Sequence, residues 1–111
     1  MTAMVATRAG VTLALATVVS ACAVAQEAPT PQSLRARSLA ANCAACHGTR
    51  GRPTAGSSVA GLAGRSAAEI ADVMAQFKEG KRNPTVMHQI AKGYSEAEIH
   101  AIANYFSRLE R

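Results

Sequence analysis

The chain predicts an all-α fold with three main helices and a long glycine-rich loop, and three observations carry that reading. Ser66-Ala67-Ala68-Glu69 and Ser95-Glu96-Ala97-Glu98 both have the capping-box pattern, in which a serine hydroxyl and a glutamate three residues on satisfy free N–H groups at a helix start. Behind each box, apolar residues recur with a helical period. Between residues 48 and 64 stand Gly48, Gly51, Pro53, Gly56, Gly61 and Gly64, a density that breaks helix and strand alike.

Taken in order, the first 25 residues read as a cleaved export signal. Arg8 supplies a positive n-region, and Ala9 to Ala21 form an uncharged run long enough for an h-region and short for a membrane span. Ala23-Val24-Ala25 is an A-x-A cleavage site that leaves Gln26 as the new N-terminus. Val19-Ser20-Ala21-Cys22 resembles a bacterial lipobox, in which Cys22 is lipidated and becomes the first mature residue. Cleavage after Ala25 is preferred because valine stands where a lipobox usually has leucine. Membrane attachment therefore depends on Cys22 alone.

Residues 26–32, with Pro29 and Pro31, read as a flexible lead, and residues 33–111 as one domain. The first helix is predicted from Ser33 to about Asn42 or Ala45, with Leu34, Leu39, Ala40 and Ala41 apolar and few β-branched residues. Ile70, Val73, Met74 and Phe77 fall at i, i+3, i+4 and i+7 of the second, which should stop near Gly80. Asn83-Pro84-Thr85-Val86-Met87 reads as irregular, because Pro84 blocks helix propagation. Ile99, Ile102, Ala103, Phe106 and Leu109 make one stripe of the terminal helix.

Cys43-Ala44-Ala45-Cys46-His47 has the C-x-x-C-H pattern of a c-type haem attachment site. Two thiols three positions apart can reach the two vinyl groups of one porphyrin as thioethers, and the adjacent histidine faces the iron. A closed zinc site would need four ligands, and only Cys22, His88 and His100 remain, with no second close pair. A thioredoxin-like site would want a βαβ pattern. A bare disulfide would leave His47 without a reason to be there.

Thioethers of this kind are made outside the cytoplasm, so the export signal and the motif support each other, and the bacterial periplasm is the expected compartment. Removing 25 of the 111 residues leaves 86, without tryptophan and with only Phe77, Tyr94, Tyr105 and Phe106 aromatic. A chain of that size buries little surface, and one covalent haem with its iron supplies the missing apolar bulk. The apoprotein is predicted to be largely unstructured.

For the iron's second axial position the candidates are Met74, Met87, His88, His100, water or nothing. Met74 belongs to a core stripe, and His100 falls off the terminal stripe. Met87 is preferred, as a side chain turning inward from the irregular segment. His88 is its alternative and would give a bis-histidine haem. A thioether raises the potential relative to a second imidazole.

The order Cys43-Ala44-Ala45-Cys46-His47-Gly48, then Gly61-Leu62-Ala63-Gly64, then Phe77 to Arg82, then Met87 to Ser95, resembles the small class I cytochromes c. The chain is most similar to the c553 and c4 type and to the cytochrome subunit of flavocytochrome c sulfide dehydrogenase, over about residues 33 to 109. The resemblance implies Cys43 and Cys46 as thioether sites, His47 as proximal ligand, Met87 as distal ligand, and first and last helices that cross beside the haem. It implies redox protein partners, among them a flavoprotein sulfide dehydrogenase subunit or a terminal oxidase. Members commonly carry a proline before the Leu-Ala-Gly block, whose carbonyl accepts a hydrogen bond from the proximal histidine. Here Val59, Ala60 and Gly61 occupy the nearby positions, and any of them still supplies a carbonyl.

Without Arg8 the chain carries 11 Lys and Arg against 7 Asp and Glu, a net of +4. Nucleic-acid binding is excluded by the lack of a recognition module or an aromatic platform and by the compartment. A solvated surface accounts for most of this charge; the sharper reading has Lys78, Lys81 and Arg82 steering an acidic redox partner. The expected function is single-electron carriage between redox partners, with no catalytic residue. A gas-binding or sensing haem protein with an open sixth position is the alternative, and a peroxidase would need His88 as a distal base.

Overall fold

The computed structural model describes residues 27–83 and 85–111. The export-signal reading, with both of its cleavage alternatives, lies outside the described residues. Among the described residues the chain is helical without strands, as expected: α1 (Pro31–Ala41), α2 (Ala44–His47), a 3-10 turn (Thr49–Gly51), α3 (Ala67–Lys78), α4 (Val86–Lys92) and α5 (Glu96–Ser107).

Helix α1 begins two residues before the sequence reading placed it. Thr30 caps it, accepting from Ser33 N at 3.1 Å, and Pro31 stands in the first turn, where its missing N–H costs nothing and its fixed φ already suits a helix. The last two residues of the supposed flexible lead, Pro31 and Gln32, are therefore helical. A break at Asn42 and Cys43 separates α1 from the single turn α2, so the first helix does run up to the C-x-x-C-H motif.

The capping box of α5 is complete. Ser95 Oγ accepts from Glu98 N, and the Glu98 carboxylate accepts from Ser95 N at 2.9 Å. These contacts, the backbone N–H foremost, hold the Glu98 carboxyl below its ordinary range, with Arg35 adding a weaker pull. The box of α3 forms only by half: Ser66 Oγ accepts from Glu69 N, but Glu69 turns to the Arg65 guanidinium at 2.7 Å. A charge-assisted partner four residues away outcompetes a neutral backbone N–H.

A third difference concerns Met87. The segment read as irregular starts a helix at Val86, because Thr85 caps it through a bond from Met87 N at 3.1 Å. Proline obstructs the residues before it, not a helix that begins after it.

Helix α5 lies at the centre, packed against α1 and α3, while α3 also packs against α4. Ile99, Ile102, Ala103 and Phe106 of α5 meet Ile70, Ala71 and Met74 of α3, Ala40 of α1 and Ala91 of α4. Small side chains at Ala40, Ala91 and Ala103 let the backbones approach, and Phe106 is the largest buried group. Met74 is buried there, as its place on the stripe predicted. Arg35 of α1 reaches Glu98 of α5 at 3.4 Å; being exposed, the pair contributes little stability.

Candidate haem site

Cys43 is the N-cap of the single turn α2 and Cys46 lies within it, three residues on and so on the same side. Both are free thiols; Cys43 is half-buried against the core and Cys46 is exposed. Burial pushes the Cys43 thiol above its ordinary pKa.

His47 closes that turn, its N–H bonded to the Cys43 carbonyl at 2.9 Å. Its Nδ1 lies 2.7 Å from the carbonyl oxygen of Ala60. A carbonyl can only accept, so Nδ1 carries the proton and Nε2 keeps a free lone pair suited to a metal. This is the arrangement in which a second partner fixes the tautomer and ring direction of a ligand histidine.

Two backbone features bring the loop to His47. Gly48 has φ +79°, and a Cβ there would lie 2.0 Å from the Arg52 carbonyl oxygen, so only glycine turns the chain at this point. The Gly51 carbonyl accepts from Leu62 N at 2.8 Å and Ala63 N at 3.2 Å, returning residues 60–63 to the motif. At Gly51 a Cβ would meet the Phe106 ring and Leu62 at 2.9 Å, so the loop docks directly on α5.

Met87 lies in the first turn of α4, half-buried and packed against the core. His88 follows on the same helix, about 100° around it, so the two side chains take different directions. The His88 ring lies against Gly80, where a Cβ would come within 3.3 Å of Cε1, and its Nδ1 is buried without a partner. His100 is exposed, 4.0 Å from Glu96 on α5, and outside the site. Among the described residues no three His, Cys, Asp or Glu side chains converge.

The donor set fits a haem: two unpaired thiols on one turn, an imidazole oriented through Nδ1, and a half-buried thioether. Leu39, Leu62, Phe77, Met87 and Tyr94 are only partly covered by protein, and Leu34, Val86 and Ile90 are exposed, Val86 by 67%.

The family model described as cytochrome c oxidase, cbb3-type, subunit III matches residues 32–106, more than half of the chain. The chain belongs to this family of c-type cytochromes. It is a haem protein of the electron-transfer kind, with covalently bound haem c. The cytochrome is 42% identical over 77 residues to the cytochrome subunit of sulfide dehydrogenase of Chlorobaculum tepidum, covering 69% of this chain and 68% of that protein. It is 39% identical over 71 residues to a thiosulfate dehydrogenase electron acceptor of Thiomonas intermedia, covering 64% of this chain. There it spans 33% of the relative's length. No helix among the described residues is long and apolar enough to cross a membrane.

The three basic residues assigned to steering each have a local partner. Lys78 is half-buried, and its ammonium donates to the Tyr94 carbonyl. Lys81 pairs with Glu79 at 2.6 Å, a contact that raises its pKa, and the Arg82 guanidinium lies 5.3 Å from the centre of the Phe77 ring. Tyr94 takes part twice, since its hydroxyl accepts from Asn42 Nδ2 at 3.4 Å. Sequence reasoning missed this cluster because Lys78 looks like any basic residue at a helix C-terminus.

Proposed function

We propose that this cytochrome passes single electrons through one haem held by Cys43 and Cys46, with His47 and Met87 as axial ligands. When bound, haem supplies a one-electron ferric/ferrous couple. The chain's contribution is to hold and tune it. Cys43 and Cys46 anchor the ring through thioethers, and His47 presents Nε2 because its Nδ1 proton is committed to Ala60. Met87 would supply a thioether to the iron, which would keep small molecules off it and favour the reduced state over what a second imidazole would give. The single observation that supports this best is the 2.7 Å contact between His47 and Ala60, a ligand orientation with no use in a bare disulfide.

The partner is a dehydrogenase of reduced sulfur compounds, and the cytochrome acts as its haem subunit or as its diffusing acceptor. The likeness to a sulfide dehydrogenase subunit over two thirds of both chains supports this. The Ala9 to Ala21 run and the A-x-A site support export to the periplasm, with cleavage after Ala25. The N-terminal mass of the mature protein tests that point, and a diacylated Cys22 would replace the soluble form by an anchored one.

The visible spectrum tests the ligand set. The oxidised protein should show the far-red methionine-to-iron band, and the reduced protein should not respond to carbon monoxide. Met87→Ala should abolish the band, open the iron to carbon monoxide and lower the potential. A wild-type protein that binds carbon monoxide would turn the reading to gas binding.

A further inference from the structure

Tyr94 bonds to the residue before the haem-attachment motif, to the methionine helix and to α3. Its hydroxyl accepts from Asn42, the C-cap of α1 and the residue immediately before Cys43. Its carbonyl accepts the Lys78 ammonium from the last turn of α3. Its own N–H donates to Ala91 of α4 at 3.3 Å, so its backbone continues the C-terminal end of the helix that carries Met87.

Helix α4 has seven residues, too few to be stable on its own propensity, so its position must come from tertiary contacts. Ala91 is its only fully buried residue, and Val86 and Ile90 face solvent. Thr85 fixes its first turn. The Lys78–Tyr94 contact fixes its far end, and the half-buried ammonium is the stronger kind of donor for that purpose.

We infer that Lys78 and Tyr94 form a brace that sets where α4 stands relative to the Cys43–His47 segment, and that Lys78 is thereby a positioning residue for Met87. This rests on Met87 being the distal ligand. It reassigns Lys78 from steering a partner to holding the protein's own ligand. Asn42 and Lys78 reach the two ends of one residue, so the brace ties the C-cap of α1 to the last turn of α3 and the end of α4.

The test uses the oxidised holoprotein with free imidazole as the probe, since imidazole reaches the iron only after the methionine leaves. Lys78→Met keeps the apolar stem and removes the donor, and should speed imidazole binding on the order of tenfold, the scale of one lost charge-assisted hydrogen bond. Lys78→Arg should restore a rate near wild type, and Lys81→Gln should leave it unchanged. Tyr94→Phe keeps the ring, cuts the Asn42 link, and should speed binding by a smaller factor. Imidazole binding to Lys78→Met at the wild-type rate would overturn the brace. If that variant does not accumulate as holoprotein, a wild-type rate in Tyr94→Phe overturns it instead. The underlying ligand assignment fails differently, through a wild-type protein that lacks the methionine band or a Met87→Ala variant that keeps it.

Discussion

Helices α3 and α5 supply seven of the ten buried apolar residues among those described, whereas the stretch from Cys43 to Ser66 supplies only Ala63. The helical half carries the local signals and the protein's own core: apolar stripes, a full capping box on α5 and Phe106 at the centre. The loop half is held by turns such as the Gly51 carbonyl bonds and by the contact from His47 to Ala60. Each such bond contributes about 1 kcal/mol net, too little to offset the ordering of that many residues. One half is thus a small protein core, and the other is a wrapping whose core is the cofactor.

The sharpest way to break this contrast is to prevent attachment. Cys43→Ser with Cys46→Ser should leave a chain with little residual helix and no cooperative thermal transition by circular dichroism; a sharp transition would show that α3 and α5 fold unaided. Next in size, Phe106→Ala in the holoprotein should cost about 3–5 kcal/mol in denaturant titration, the range for emptying a large buried aromatic site. Gly51→Ala probes the seam between the halves, where the added methyl would press on Phe106 and Leu62 from a positive φ. A loss of about 1–3 kcal/mol is expected by the same titration.

Arg50 tests the wrapping alone. It holds φ +55°, a conformation costing a non-glycine residue roughly 1–2 kcal/mol against roughly 0.5–1 kcal/mol of backbone entropy for glycine. Arg50→Gly should therefore raise stability by about 0.5–1 kcal/mol, measured as a shift in unfolding midpoint. The smallest effect belongs to Glu98. Its carboxyl is held below the ordinary range in the folded chain, so its stabilisation is complete above the unfolded pKa and is lost as pH falls through the lower folded value. Glu98→Gln should lower the melting temperature slightly at neutral pH and flatten the acid limb, so that variant and wild type converge at low pH.

The helical half was legible because local rules governed it. Period and capping residues marked α3 and α5, and the stripe predicted the buried Ile99, Ile102, Ala103 and Phe106. The start of α1 was missed although Thr30-Pro31 is itself a start signal, and α4 was missed because Pro84 was weighed as a breaker while Thr85 was not weighed as a cap. The C-x-x-C-H motif was legible as a pattern, since attachment chemistry needs that local spacing. The distal side resisted. Lys78, Tyr94 and Asn42 come together over separations of 16 and 52 residues, and no local pattern encodes such a meeting.

The partner of His47 Nδ1 is a main-chain oxygen, and a main-chain oxygen belongs to no residue type. No side-chain exchange at position 60 can delete it. Spelling in this loop is therefore free to drift while arc length is not: a single residue inserted or removed between Gly51 and Leu62 would carry the oxygen away from the ring. The orientation of the His47 ring is inherited as a distance along the chain.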